Sequence, residues 1–249
     1  MSLGPIGIEG NDVYTISYKD LCAIVHNCPA EPYASDDDEL VKEWIKAHQS
    51  VLDEAKRRFS VIVPMGFDMV LRPKDASSSP EQTVREWLKD EHDRLIALIE
   101  KVRGKDEYGV QIFYDPEIMR LATSKSEELQ KIRGEMASKP PGVAYMYKQK
   151  LENMAKAEAE RLVDGYFRDF YEKIRCHCDD MVLEKNKKTG SGKVMLLNLS
   201  CLVSQDEVNA LGEELEKINA MEGFSVRFTG PWPPYSFVSE SKKEEGSKT

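Results

Sequence analysis

The sequence predicts a globular protein built from both helices and strands, in one large domain or two small ones. Its 249 residues exceed the roughly 150 residues of a typical domain. Hydrophobic residues make up 41% of the chain and charged residues 32%, so the chain can bury a core and still present a well-solvated surface. Strand–helix–strand patterns occur in both halves of the sequence, which indicates a mixed α and β fold.

The charge balance and the hydropathy pattern exclude several classes of function. The formal net charge is −9, whereas a nucleic-acid-binding protein generally needs a basic face to displace counterions from phosphates. No apolar run approaches the ~20 residues that span a bilayer, and the N-terminus MSLGPIGIEG lacks the basic and apolar regions of a secretory signal. Five cysteines are an odd, sparse set, which is typical of free thiols in a reducing cytosol. We therefore expect a cytoplasmic protein that binds neither nucleic acid nor membrane.

The first elements are two strands, a helix and a β-rich segment. Short strands are predicted at Val13–Ser17 and Leu21–Val25, on either side of a polar turn. Four carboxylates at 36–39 favour a helix start, because they suit the positive end of the helix dipole. The segment 59–71 is rich in β-forming residues, but Pro64 and Gly66 break it into two pieces, which suit an edge, a bulge or a bend rather than a central strand.

A second helix has a clear start signal. Ser79 is the expected N-cap, Pro80 occupies the first helical position, and Gln82 completes a capping box. An apolar stripe continues to Val102, and Gly104 is a plausible left-handed residue at the helix end. One continuous helix is therefore predicted between these two positions.

The second half alternates strands and helices. The predicted elements in chain order are a strand at Tyr108–Tyr114, a charged helix from Asp115 towards Ala137, a long helix at 143–175, strands at Met181–Glu184 and Val194–Val203, a helix, and a strand at Phe224–Thr229. Ser204 and Glu207 form a second capping-box pattern at the start of the last helix.

Three groups of residues could carry chemistry, and the first contains cysteines. Cys176-His177-Cys178, with Cys201 elsewhere, offers thiolates and an imidazole that suit zinc. A structural zinc site normally has two ligand pairs, and the sequence shows no second pair. Ordinary half-buried cysteines are the simpler interpretation.

The second and third groups are a glycine-rich loop and a histidine. The loop Gly190–Lys193 resembles the end of a phosphate-binding loop, but Lys187 stands where that motif needs glycine, Val194 follows the lysine, and a strand comes next. It is therefore interpreted as a flexible basic connection. His48 could be a general base, but it lies on the apolar face of its helix, which favours a packed histidine with a local hydrogen bond. No cofactor, metal or small-molecule substrate is predicted.

The sharpest feature is a proline- and aromatic-rich segment that follows the last strand. It consists of Gly230, Pro231, Trp232, Pro233, Pro234, Tyr235, Ser236 and Phe237. Because each proline fixes its own φ and favours an extended preceding residue, we predict a stiff polyproline-II arm. Three residues per turn would place Trp232 and Tyr235 on the same side. Such an arm could pack on the chain's own sheet or contact a partner.

This segment resembles the C-terminal signature of the gas vesicle protein GvpF/GvpL family, and the resemblance extends over residues 6–238. The other segments that carry it are Gly7–Gly10 with Val13-Tyr14 and Asp20-Leu21, His48–Leu52, Val63–Phe67, Tyr108–Val110, Pro141–Met146 and Leu196–Val203. Family members usually begin with an additional tyrosine-rich strand, where this sequence has only Met1–Pro5, so we expect that strand to be missing or shortened. Phe67-Asp68 stands where the family more often has Phe-Gly-Thr, and the Cys-His-Cys cluster is not a family element.

The resemblance implies an α+β fold with two domains and long helices that connect and flank the sheets. Residues 1–105 would be a ferredoxin-like variant, 106–238 a second α+β domain with the long helix, and 239–249 a disordered tail. The implied function is that of a non-enzymatic accessory or minor structural protein of gas vesicle formation, which would bind the small hydrophobic shell protein GvpA and other gas vesicle proteins. The alternative is a metal- or nucleotide-dependent enzyme that uses the Cys176–Cys178 cluster or the Gly190–Lys193 loop.

Overall fold

The computed structural model describes residues 1–67, 69–73, 78–124, 126–137, 140–188, 190 and 192–238. They form two compact units, the first made of Met1–Lys105 with residues 233–238 and the second made of Asp106–Trp232. Each unit combines helices with a sheet, so the predicted α+β class is confirmed. The tail predicted at 239–249 lies outside the described residues.

The first unit begins with a three-stranded antiparallel sheet followed by helices. Its elements are β1 (Ser2–Gly4), β2 (Val13–Tyr18), β3 (Leu21–His26), α1 (Asp38–Arg58), α2 (Pro80–Asp90) and α3 (His92–Val102). The strands lie in the order β1-β2-β3. The expected shortened first strand is the three-residue β1. Apolar side chains of the sheet and the helices form one core, which contains Ile16, Leu21, Val84, Leu88 and Leu95.

Capping side chains fix two of these helix starts. Asp37 accepts a hydrogen bond from the backbone N–H of Glu39 at 2.9 Å at the start of α1. Ser79 Oγ accepts one from the N–H of Gln82 at 3.2 Å at the start of α2, as predicted. The helix predicted to continue to Val102 is instead broken at Glu91 into α2 and α3.

The second unit is a four-stranded sheet with helices inserted between its strands. Its elements are β4 (Lys105–Tyr114), α4 (Pro116–Ser124), α5 (Glu127–Ala137), α6 (Pro141–Arg175), β5 (Asp180–Leu183), β6 (Val194–Ser204), α7 (Val208–Asn219) and β7 (Phe224–Trp232). The strands lie in the order β5-β6-β4-β7, so β6 is central and almost entirely buried. Its continuous apolar run is typical of a strand covered on both faces. Phe170 and Ile174 of α6 and Leu211 of α7 are fully buried in this core.

The connectivity of the second unit corrects the predicted place of the ferredoxin-like fold. One strand, a helical insertion, two strands, a helix and a last strand follow one another, which is the βαββαβ pattern of ferredoxin-like domains. The prediction gave that pattern to residues 1–105. There the described strands form a simple antiparallel meander, with the helices after it.

Three further local predictions are wrong. Within 59–67 and 69–71 the backbone forms no strand, although Met65 and Leu71 pack against the first core. The helix expected from Asp115 to Ala137 is two helices, α4 and α5. Ser204 is the last residue of β6 rather than a cap, and α7 begins after Glu207 with no side-chain capping bond.

The chain returns to the first unit after β7. Residues 235–238 form the short helix α8 (Tyr235–Val238). The prediction placed 233–238 in the C-terminal domain, whereas these residues cluster with Met1–Lys105, because their side chains meet α1 and α3 there. None of the helices in the described parts of the chain has an apolar stretch as long as a bilayer requires.

Candidate protein-interaction site

The proline- and aromatic-rich segment is divided between the two units. Residues 230–232 continue β7, and residues 233–238 belong to the first unit. The predicted polyproline-II arm is therefore wrong, since the segment is a strand end followed by a short helix. The β4–β7 ladder overrides the local preference, and a proline is tolerated in β7 because this strand lies at the edge of its sheet.

A bulge in β7 requires the glycine of the motif. Trp232 pairs with Glu107 and Thr229 with Gly109, so β7 contains one extra residue between these pairs. Gly230 lies in the bulge with φ of +131°, a conformation that residues with a side chain rarely adopt. A Cβ at this position would also lie 2.9 Å from the carbonyl oxygen of Glu107. The bulge therefore depends on Gly230.

Two aromatic side chains of β7 are exposed. The ring of Phe228 stacks on that of Tyr108 with centroids 5.2 Å apart and is 37% exposed. Trp232 is 50% exposed. Phe228 pairs with Val110 and Trp232 pairs with Glu107, three positions apart on β4, so the two rings lie on opposite faces of the sheet.

The backbone of β7 also has an outward-facing side. The N–H of Val226 donates to Asn219 Oδ1 at 2.9 Å, so the polar groups of Val226 point away from β4. Because successive residues of an antiparallel strand alternate, the N–H and C=O of Phe228 point the same way. An edge of this kind can pair with another strand.

The second part of the motif is buried in the first unit. The N–H of Tyr235 donates to the carbonyl of Pro233 at 2.8 Å, and that of Phe237 donates to Pro234 at 3.2 Å, which turns the chain into α8. Pro234 is buried, and Phe237 is only 5% exposed. Lys101 Nζ lies over the Phe237 ring, 5.5 Å from its centre, which is the geometry of a cation–π contact.

Tyr235 is held by His48, which lies on α1. The hydroxyl of Tyr235 is 2.9 Å from His48 Nε2, and the imidazole also forms a hydrogen bond with the backbone of Met65. Burial lowers the pKa of His48 below its ordinary value of 6.5, against the opposing effect of the Met65 bond, and burial raises the pKa of Tyr235 above 10.0. Both groups are therefore neutral near pH 7. The Met65 bond raises the pKa of His48, which means that the imidazole donates to the Met65 carbonyl. A neutral imidazole donates through one nitrogen and accepts through the other, so Tyr235 donates to Nε2.

The interpretation of His48 as a packed histidine agrees with its burial, but the predicted local hydrogen bond is wrong. Its partner Tyr235 is 187 positions away in the sequence. The motif thus contains two kinds of aromatic side chain. Tyr235 and Phe237 are packing residues of the first unit, while Trp232 is half exposed at the end of β7.

The cysteine cluster lies at the end of α6. Cys176 is exposed, His177 Nδ1 is 3.1 Å from Glu207 Oε2, and Cys178 packs against the core that contains Cys201. In the described residues, no three His, Cys, Asp or Glu side chains are grouped so that they could hold a metal ion.

The glycine-rich loop joins β5 to β6. Gly190 and Gly192 are described, whereas residues 189 and 191 are not. Lys193 Nζ donates to Ser225 Oγ at 2.9 Å, and the strand β6 begins at the next residue. A phosphate-binding loop needs a helix N-terminus at this point, and a strand provides none.

The first unit also contains a cavity that the sequence patterns did not predict. Its volume is about 870 Å³, and its lining is mainly apolar, with His26, His48 and Tyr33 among the polar groups. Burial lowers the pKa of both histidines, so the lining is uncharged in this part. The sequence periodicity predicted which side chains of β2 and α2 face inward. It could not predict whether those side chains fill the space between the elements, because that depends on their packing in three dimensions.

Comparison with known proteins identifies the family to which this fold corresponds. Residues 1–239 match the family described as gas vesicle synthesis protein GvpL/GvpF. Gas vesicle protein L of Haloferax mediterranei is 26% identical over 94% of this chain and 73% of its own length. Gas vesicle protein L1 of Halobacterium salinarum is 27% identical over 97% and 86%.

Two crystal structures share the architecture. That of GvpF from Anabaena sp. PCC7120 has a TM-score of 0.73 and 18% sequence identity, covering 97% of this chain and 93% of that chain. That of GvpF from Microcystis aeruginosa has a TM-score of 0.63 and 16% identity, covering 95% and 92%. At this identity the structures establish the fold. Because the family match extends over nearly the whole sequence, this chain belongs to the GvpL/GvpF family of gas vesicle proteins.

Proposed function

We propose that the chain is a non-enzymatic accessory or minor structural protein of gas vesicle formation that binds the shell protein GvpA and other gas vesicle proteins during assembly. Its membership of the GvpL/GvpF family supports the gas vesicle context. The interaction would take place at the vesicle or at its precursors in the cytoplasm.

The observation that carries the proposal is the exposure of Trp232 at the end of the edge strand β7. Interface centres are enriched in aromatic side chains, and tryptophan is among the residues that most often dominate binding energy. Half of the Trp232 surface is available to a partner. The neighbouring Tyr235 and Phe237 pack within the first unit, so they are not assigned to the partner.

The chemistry of the edge suits an apolar partner in an extended conformation. Outward backbone groups at Phe228 can add a strand by main-chain hydrogen bonds, while the exposed ring of Trp232 contributes apolar contact area. A small hydrophobic shell protein would supply the apolar surface. We therefore assign the end of β7 as the GvpA-binding part of the motif.

Co-purification of GvpA with tagged variants tests this assignment. Trp232→Ala should retain the circular dichroism spectrum and Tm of the unmodified chain and lose about tenfold or more of the recovered GvpA, because tryptophan anchors typically contribute at least ~2 kcal/mol. Leu183→Ala is the matched control, since Leu183 is 54% exposed on β5 at the opposite edge of the same sheet. It should leave recovery unchanged. Full recovery with a folded Trp232→Ala protein would disprove the assignment.

Fractionation of cells addresses the accessory and the structural versions of the role. Intact vesicles and the remaining cytoplasm are compared by immunoblotting against this chain. A permanent shell component stays with washed vesicles in a constant ratio to GvpA, whereas an assembly factor is found mainly in the cytoplasm. Absence of any association with GvpA in either fraction would contradict both versions.

A further inference from the structure

The strand β3 forms an open edge of the sheet in the first unit. The sheet order is β1-β2-β3 in the described part of the chain, so β3 has a neighbouring strand on one side. The N–H of Thr15 donates to the carbonyl of Met1 at 3.0 Å, so the polar backbone groups of Thr15 point towards β1. Thr15 lies opposite Ile24, and opposite residues of an antiparallel pair either bond each other or both point outward. The N–H and C=O of Ile24 therefore point away from β2.

This edge has none of the features that usually protect an edge strand. The six residues Leu21–His26 contain no proline, lysine or carboxylate, and their register with β2 is regular throughout. Among the described residues, the backbone hydrogen bonds outside helices and strands include none to the N–H or C=O of Ile24. An edge of this kind favours the addition of another strand.

The cavity of the first unit borders this edge. Its volume is about 870 Å³, and its lining includes the unbroken run of residues 22–26. Because successive side chains of a strand point to opposite faces, lining by the whole run places the cavity at the edge of β3 rather than against one face. Side chains of α1, α2 and α3 also line it, among them Leu52, Leu88 and Ile99.

The segment that follows α1 lines the same cavity. Residues 59–63 all contribute to its wall. Val61, Ile62 and Val63 are β-branched, the type of residue most enriched in strands, and Pro64 ends the run. These three residues form no strand in the structure. A run with the composition of a strand and a strand with an open edge thus share one cavity.

We propose that residues 61–63 are a strap that closes over the cavity and pairs with the open edge of β3 as a fourth strand. The structure shows the open form of this strap. Closing gives the outward N–H and C=O of Ile24 backbone partners and removes the apolar lining of the cavity from water, and both changes favour the closed form. The ordering of the strap opposes it. The strap therefore controls the access of solvent to the cavity, and it acts independently of the β7 motif to which the proposed function is assigned.

Residue-resolved amide hydrogen exchange of the full chain tests the strap. In the unmodified protein, the N–H of Ile24 should exchange at least about tenfold more slowly than in Ile62→Asp, because a carboxylate without a partner is costly to bury in an apolar cavity. Ile62→Val keeps a β-branched apolar side chain and is the matched control, which should retain the slow exchange. The N–H of Val25 points towards β2 and should exchange slowly in all three proteins.

Equal exchange of the Ile24 N–H in the unmodified protein and in Ile62→Asp, with Val25 still protected, would overturn the proposal. Faster exchange of Val25 in Ile62→Asp would show that this variant has lost the sheet, and the unmodified protein then decides alone. Paired strands lie about 4.8 Å apart, so pairing requires nuclear Overhauser contacts between backbone protons of residues 61–63 and those of Cys22, Ile24 or His26. Their presence would support the strap, and their absence would overturn it.

Discussion

Trp232 and Tyr235 are three positions apart, yet their surroundings differ. Tyr235 bonds His48 inside the first unit, while Trp232 is half exposed at the end of β7. A local sequence pattern treats them as equivalent aromatic residues of one proline-rich arm. The distinction arises from Gly230, whose bulge ends the regular ladder, and from the turn at Pro233. His48, the partner of Tyr235, is 187 positions away in the sequence, so the periodicity of the local sequence could not predict the contact.

The first prediction at the residue scale concerns the Tyr235 hydroxyl. Tyr235→Phe removes the donor to His48 Nε2 and leaves a partly buried acceptor without its partner, so the free energy of unfolding should fall by about 1 kcal/mol. Urea titration followed by far-UV circular dichroism measures this change. Tyr145→Phe is the control, because that hydroxyl bonds Gln149 at the surface. Equal midpoints for both variants would show that the buried bond contributes nothing.

The second prediction concerns pH. The pKa of His48 is lowered in the folded state by burial, so below its ordinary value of 6.5 the unfolded chain binds more protons at this site. The contribution of His48 to the free energy of unfolding is complete above pH 6.5 and is lost as the pH falls through the lowered pKa. His26 acts in the same direction, since burial lowers its pKa as well. We expect His48→Gln, which can still donate and accept, to reduce the loss of stability between about pH 8 and about pH 5.5.

His92 provides a control of opposite sign. Hydrogen bonds to Asp93 and Asp20 raise its pKa, so its contribution is present below 6.5 and disappears as the pH rises through the raised value. His92→Gln should therefore make the loss of stability on acidification larger, not smaller. Urea midpoints at the two pH values distinguish the variants. Identical pH profiles for His48→Gln and the unmodified protein would contradict the role of burial.

At the scale of elements, two identical-looking helix signals have different outcomes. Ser79 caps α2, but Ser204 ends β6, and the N–H of Glu207 bonds the carbonyl of Ser204 instead. An N-cap is the residue directly before the first helical turn, and α7 begins four residues after Ser204, so Ser204 lies too far upstream to cap it. Ser79→Ala should lower the free energy of unfolding by about 1 kcal/mol, and Ser204→Ala should leave it nearly unchanged. Equal losses in urea titrations would refute this distinction.

The sequence predicted elements best where a pattern was long and uniform. The buried run of β6 and the apolar stripe of α6 were assigned within a few residues of their observed limits. Breaks inside a continuous pattern were missed, at Glu91 and between α4 and α5, because an apolar stripe does not record where packing turns the chain. Residues 59–71 have strand composition, but they form no ladder in their described part. Strand pairing depends on an available edge as well as on composition.

The prolines and aromatics of residues 230–237 marked this segment as unusual, but they did not predict its shape. Its role in binding a partner is a proposal. The positions of the Tyr235 and Phe237 rings depend on contacts with α1 and α3, which are more than a hundred positions away in the sequence. Resemblance to a family identified the gas vesicle context, which composition alone did not indicate.

At the scale of the whole molecule, β7 and α8 belong to different units. A short segment of the chain joins them. The covalent path leaves the second unit at Trp232 and enters the first at Pro233. Packing within the first unit and the proposed partner binding therefore involve neighbouring residues. Substitutions within this segment should separate the two properties cleanly.

The last prediction compares Phe237→Ala with Trp232→Ala. Phe237 is 5% exposed and lies under Lys101, so its truncation leaves a cavity and should lower the stability of the first unit by about 3–5 kcal/mol. Trp232→Ala removes a ring that is half in solvent and should lower stability by less than about 1 kcal/mol. Because a chain of two units need not unfold in one step, hydrogen exchange by mass spectrometry is the better measurement. Phe237→Ala should accelerate exchange in peptides of α1 and α3, and Trp232→Ala should not. Faster exchange in these peptides of Trp232→Ala, or unchanged exchange in Phe237→Ala, would contradict the assignment of Phe237 to packing and of Trp232 to the exposed surface.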